Sequence, residues 1–75
     1  MDIPDRLIEL QRAADTEHAK LTALDGDEHA AQWTRWRDAA AASHAAVTEH
    51  AAKNGLNRFE LEAAVKRAVR HPDDG

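Results

Sequence analysis

Lys53-Asn54-Gly55-Leu56-Asn57-Arg58-Phe59-Glu60-Leu61 is the stretch that decides the fold of this 75-residue chain. Gly55 has no Cβ and can take the left-handed conformation with which helices end. Two residues later, the Asn57 side chain can accept a hydrogen bond from the first free amides of a new helix. Glu60, three positions on, has the spacing to reach back to the Asn57 amide and complete a capping box. Leu56 and Leu61 stand at the two positions of a hydrophobic staple, one just before the cap and one four residues after it. These nine residues predict that one helix stops and another starts, and they fix the phase of the second.

Reading forward, that phase predicts a helix over about 58–70. Leu61, Ala64, Val65 and Ala68 form its buried stripe, with Val69 at the edge. Phe59 falls on the opposite side, with Glu62, Ala63, Lys66 and Arg70. Lys66, Arg67, Arg70 and His71 suit the negative end of the helix dipole. Pro72 is the expected stop, and 72–75 the expected frayed tail.

Reading backward, the preceding helix is expected over about 28–53, roughly 39 Å long at 1.5 Å per residue. Trp33, Trp36, Ala40, His44, Val47 and Ala51 make its expected inner face, with the two tryptophans packed on Leu21 and Leu24. Ala31, Ala42, Ala45, Ala46 and Ala52 lie on the far side, where alanine reads as a helix former rather than as a second packed face. Asp25-Gly26-Asp27 is the expected turn before it, with Gly26 closing the first helix and Asp27 capping the second. The first helix is expected over about 4–24, capped by Asp2 with Pro4 in its first turn. Its stripe is Ile3, Leu7, Leu10, Ala14, Leu21 and Leu24, interrupted at Glu17-His18. Ile8 lies off it. So short a break between long helices predicts antiparallel neighbours. The architecture expected for residues 1–75 is therefore a single all-α domain, a long antiparallel helical hairpin plus a short third helix in a three-helix, bundle-like arrangement.

Composition agrees with that reading. Seventeen alanines against three glycines and two prolines favour helix over sheet. With no cysteine, neither a disulfide nor a Cys-based metal site can staple so small a domain, and oligomerisation is the remaining common staple. A net charge of −4 with both signs dispersed argues against a general polyanion binder. No long apolar run or secretory leader stands out, which points to a cytoplasmic protein without a membrane partner.

The chemical motifs are thin. His18, His29, His44, His50 and His71 form no i,i+4 pair and no metalloprotease motif. His44, on the apolar face, reads as a structural residue that could meet Glu17 across the hairpin and fill the gap in the first helix's stripe; a pH- or metal-responsive role is the third functional class. Asp25-x-Asp27 lacks the loop and distal Glu of a calcium site. Ser43, the only serine, is mid-helix and has no nucleophile elbow around it. No cofactor, metal or catalytic residue is expected, and the chain reads as a non-enzyme. Trp33-Thr34-Arg35-Trp36-Arg37 mixes aromatic and basic residues, but tryptophans three apart share one face and read as packing residues with arginine stems across them.

The sharpest alternative is a helix-turn-helix. Ala51-x3-Gly55-x5-Leu61 has the small-Gly-aliphatic spacing of that motif. The last helix would then read DNA with Asn57, Arg58, Glu62, Lys66 and Arg70. The long helix before it and the modest local charge weigh against this.

Leu7-Ile8-Glu9-Leu10-Gln11-Arg12-Ala13-Ala14-Asp15, the run 57–68 from Asn57-Arg58-Phe59-Glu60 onward, and the closing Arg70-His71-Pro72 resemble small uncharacterised proteins of high-GC actinobacteria. The central Trp36-Arg37-Asp38 and Ala46-Val47-Thr48-Glu49-His50-Ala51 add to the likeness. Those proteins carry no established activity, so the resemblance implies a bacterial cytoplasmic setting and transfers no site residue. The expected function is a helical protein–protein interaction module, homodimeric, with Ile8, Phe59, Ala63, Lys66 and Arg70 facing the partner. Trp33, Trp36, His44, Gly55, Leu56, Asn57, Glu60 and Leu61 are the expected structural positions.

Overall fold

Three helices, with no strand among the described residues 2–70, make up the computed structural model. The first, α1 (Asp5–Ala19), runs into a 3₁₀ turn (Lys20–Ala23); α2 (Gly26–Asn54) and α3 (Arg58–Arg70) follow. The expected Pro72 stop, the frayed tail 72–75 and the dipole position of His71 lie outside the described residues. The all-α class and the hairpin-plus-third-helix order are as the sequence predicts.

Cross-links show the direction of the hairpin. The Gln32 side-chain amide donates to the Glu17 backbone carbonyl at 2.8 Å, and the Ser43 hydroxyl donates to Gln11 Oε1 at 3.3 Å. Later residues of α2 thus meet earlier residues of α1, so the two helices are antiparallel. Folding back, α3 places Arg58 against Thr48 and His44 of α2. The core lies at this end of the hairpin. Leu7, Ala46, Val47, Ala51, Leu61 and Val65 form one buried cluster, flanked by Ile3, Leu10 and Leu56.

Several boundary expectations are corrected. Asp2 does not cap α1. Pro4 stands at the cap position in an extended conformation (φ −59°, ψ 140°), and the Leu7 amide bonds to its carbonyl at 3.0 Å. Proline's fixed φ suits that position, and Asp2 lies two residues too early for it. At the start of α2 the cap position belongs to Asp25, without a side-chain bond, and Asp27 sits inside the first turn. Gly26 has a positive φ, +60°, but it opens α2 and does not close the first helix, which has already ended at an extended Leu24. The first helix also tightens after Ala19. There the Glu17 carbonyl accepts from Gln32, and the Ala19 carbonyl accepts from the Thr22 hydroxyl at 3.0 Å. Side chains thus satisfy carbonyls of the last turn, which removes the penalty for leaving α-helical geometry.

The inner face of α2 is as expected at Val47 and Ala51 and departs from the expected one at Trp33 and His44. Gln32, Ser43, Ala46, Val47 and Ala51 are buried, whereas His44 is exposed and Trp33 is 41% exposed. Ala46, expected on the far side, belongs to the core. The reason is steric. This face of α2 must meet both α1 and α3, and small residues there allow close approach. Bulk and apolarity alone had favoured the tryptophans.

Candidate interaction surface

The junction between α2 and α3 sets what α3 presents. Gly55 has φ +63°, and the Leu56 amide bonds back to the Ala51 carbonyl at 2.9 Å, the six-to-one bond of a Schellman turn. The Glu60 amide donates to Asn57 Oδ1 at 3.0 Å, which is the half of the capping box that forms. Leu56 packs on the core and Leu61 is fully buried. With the helix phased by these contacts, Phe59 stands 78% exposed. Ala63, one turn on, is exposed beside it, as are Glu60 and Arg67. Ile8, the other expected partner residue, is half-buried and outside the core cluster.

The basic residues of α3 divide into two sets. Arg58 and Lys66 both pair with Glu62, at 3.1 and 3.2 Å, in a ladder of successive helical turns. The Glu62 carboxyl is held below its ordinary value, chiefly by the Lys66 hydrogen bond; partial burial opposes this, and the charges of Lys66 and Arg58 add to it. Arg58 also donates to the Thr48 hydroxyl at 2.8 Å and bonds His44 Nδ1 at 2.9 Å. This flank of α3 therefore faces α2. Arg67 and Arg70, by contrast, have no carboxylate partner among the described residues.

His44 does not meet Glu17, as the stripe reading had suggested. Gln32 takes that place and donates to both the carbonyl and the carboxylate of Glu17, the latter at 3.3 Å. With Lys20 assisting, this contact holds the Glu17 carboxyl below its ordinary value, Gln32 being the larger cause. A guanidinium can only donate, so His44 Nδ1 is the acceptor and the neutral ring keeps its proton on Nε2.

At the far end of the hairpin, Trp36 is half-buried and meets His18 edge-on at 5.2 Å between ring centroids. Trp33 meets Trp36 edge-on at 5.7 Å, and the Arg37 guanidinium lies 5.2 Å from the centroid of Trp33. An arginine does lie over a tryptophan, by its guanidinium, but Trp33 is exposed and not the core residue expected. A groove of about 380 Å³ separates this aromatic group from the ladder, with residues of all three helices around it.

The fold and surface thus define a small three-helix protein with an exposed aromatic on its last helix. Among the described residues no helix is long and apolar enough to cross a membrane, and no group of three or more His, Asp or Glu side chains gathers as for a metal ion. No protein-family model, curated protein or solved structure matches the chain. Sequence reading missed Gln32, Ser43 and the Arg58–His44 pair, because these contacts depend on how the helices meet. The Arg58, Glu62, Lys66 spacing of four was its one available signal.

Proposed function

We propose that the chain is a non-enzymatic protein–protein interaction module of the bacterial cytosol, which pairs with a second copy of itself through the outer face of α3. The observation that carries this reading is Phe59, 78% exposed on a helix whose phase is held by a cap and a buried leucine. An exposed aromatic gains by burial against a partner and loses little side-chain entropy on binding. Ala63 beside it allows close approach of another helix. Arg67, exposed on the same side, lies one turn beyond Ala63. Two copies crossing antiparallel about Ala63 bring each Phe59 near Arg67 of the other copy, a cation–π arrangement.

The helix-turn-helix reading draws less support. Glu62 engages two of the four basic residues of α3, and the helix before the turn is 29 residues long.

Sedimentation velocity at micromolar concentration tests the proposal. The expected result is a dimer that Phe59→Ser converts to a monomer of unchanged helicity. A fully helical parent monomer at these concentrations would remove the self-association claim. Salt-sensitive binding of a duplex DNA fragment, weakened by Lys66→Ala or Arg70→Ala, would replace it with the DNA-binding reading.

A further inference from the structure

The core fills only one end of the hairpin. From Val47 towards the start of α2 the next positions facing the hairpin, Ser43 and Ala40, are small, and α3 as described reaches only to Arg70. The result is the groove of about 380 Å³, the size of a small-molecule site. Ala14 and Ala40 belong to its wall, and their lack of bulk helps leave the space open. Trp36 offers it an aromatic surface.

The polar groups around the groove are mostly donors. Arg70 and Lys66, one turn apart on α3, both line it. Lys66 is shared with Glu62, whereas no carboxylate engages Arg70 among the described residues. His44 and His18 also line it, and His44 keeps its Nε2 proton because Arg58 occupies Nδ1. Among the described residues Asp15 is the one carboxylate in the wall, and it already accepts from the Gln11 amide at 2.9 Å. In a chain of net charge −4, this is a local excess of positive groups beside an aromatic ring.

We propose that this groove binds a small organic anion, a carboxylate or phosphate carried on a flat apolar ring. The ring lies against Trp36 over Ala14 and Ala40, and the anionic group meets Arg70 and Lys66. Arg70 is the principal anchor, since Lys66 is divided between the ligand and Glu62.

Titration of ¹⁵N-labelled protein with benzoate and with phenyl phosphate tests this, with inorganic phosphate and benzyl alcohol as controls. The readout is the Trp36 indole N–H resonance, assigned with Trp33→Phe. Expected is a saturable shift with at least one of the two aryl anions, at a Kd of about a millimolar for so few atoms. Arg70→Gln should weaken it about tenfold, the scale of one hydrogen bond to a charged group. Ala40→Leu, which fills the groove without altering charge, should abolish it while circular dichroism stays that of the parent. The same affinity in the Phe59→Ser protein would separate this site from self-association. The proposal is overturned if neither aryl anion shifts the resonance, if inorganic phosphate or benzyl alcohol binds as well as they do, or if Arg70→Gln binds like the parent.

Discussion

Gly55 and Asn57 show how two residues set the direction of everything after them. At Gly55, φ is +63° and an added Cβ would meet nothing within 4 Å, so the demand there is conformational rather than steric. Placing an L-residue in that region costs about 1–2 kcal/mol, partly offset by a less flexible unfolded chain. Gly55→Ala should therefore destabilise by about 1 kcal/mol. Asn57→Ala, which removes the acceptor of the 3.0 Å bond from the Glu60 amide, should cost a similar ~1 kcal/mol. Asn57→Asp, which keeps an acceptor there, should stay within a few tenths of a kcal/mol of the parent. Urea denaturation with an unchanged m-value checks all three. These roles were legible because turn and cap chemistry is local: both partners lie within three residues. His44 was not legible in the same way. Its partner, Arg58, is fourteen residues away and arrives only through the packing of α3 on α2.

Among the elements, α3 was the most legible and α2 the least. The cap, staple and stripe of α3 agree on one phase, and the helix starts at Arg58. On α2 the alanines give no sharp stripe: the expected face holds at Val47 and Ala51, but Gln32 and Ser43 are buried where bulk and apolarity favour Trp33 and His44. The Arg58–Glu62–Lys66 ladder beside α2 gives a pH prediction. Glu62 titrates below its ordinary value of about 4.5 in the folded protein, so the unfolded chain binds that proton more readily. The stabilisation is present in full above the ordinary value. It is lost as the pH falls from there through the lowered folded value. Thermal melts between pH 7 and pH 3 should therefore show the parent losing more stability than Glu62→Gln across that acidic window. Equal losses would mean that the ladder contributes nothing to holding α3.

For the molecule as a whole, thinness governs behaviour. The radius of gyration is 13.7 Å, and the extents are 43 × 27 × 17 Å. A compact chain of this length would have a radius of gyration of about 11 Å. So flat a body cannot enclose a large core, and among the described residues the buried side chains of leucine or valine size are Leu7, Val47, Leu61 and Val65. Stability of a few kcal/mol is the ordinary expectation for a domain this small, and the proposed pairing with a second copy would add to it by mass action. If α3 is the self-association face, thermal stability depends on concentration. Raising the protein a hundredfold from low micromolar should raise Tm by about 5 °C or more, since each chain carries half of the added association free energy. Phe59→Ser should remove this dependence. It should leave the low-concentration Tm close to the parent's, because a side chain 78% exposed gives up little packing within its own chain. A Tm that is independent of concentration in the parent would place the stability entirely within the single chain. A large drop for Phe59→Ser at every concentration would instead make Phe59 part of the monomer's own packing, against the exposure that the helix phase gives it.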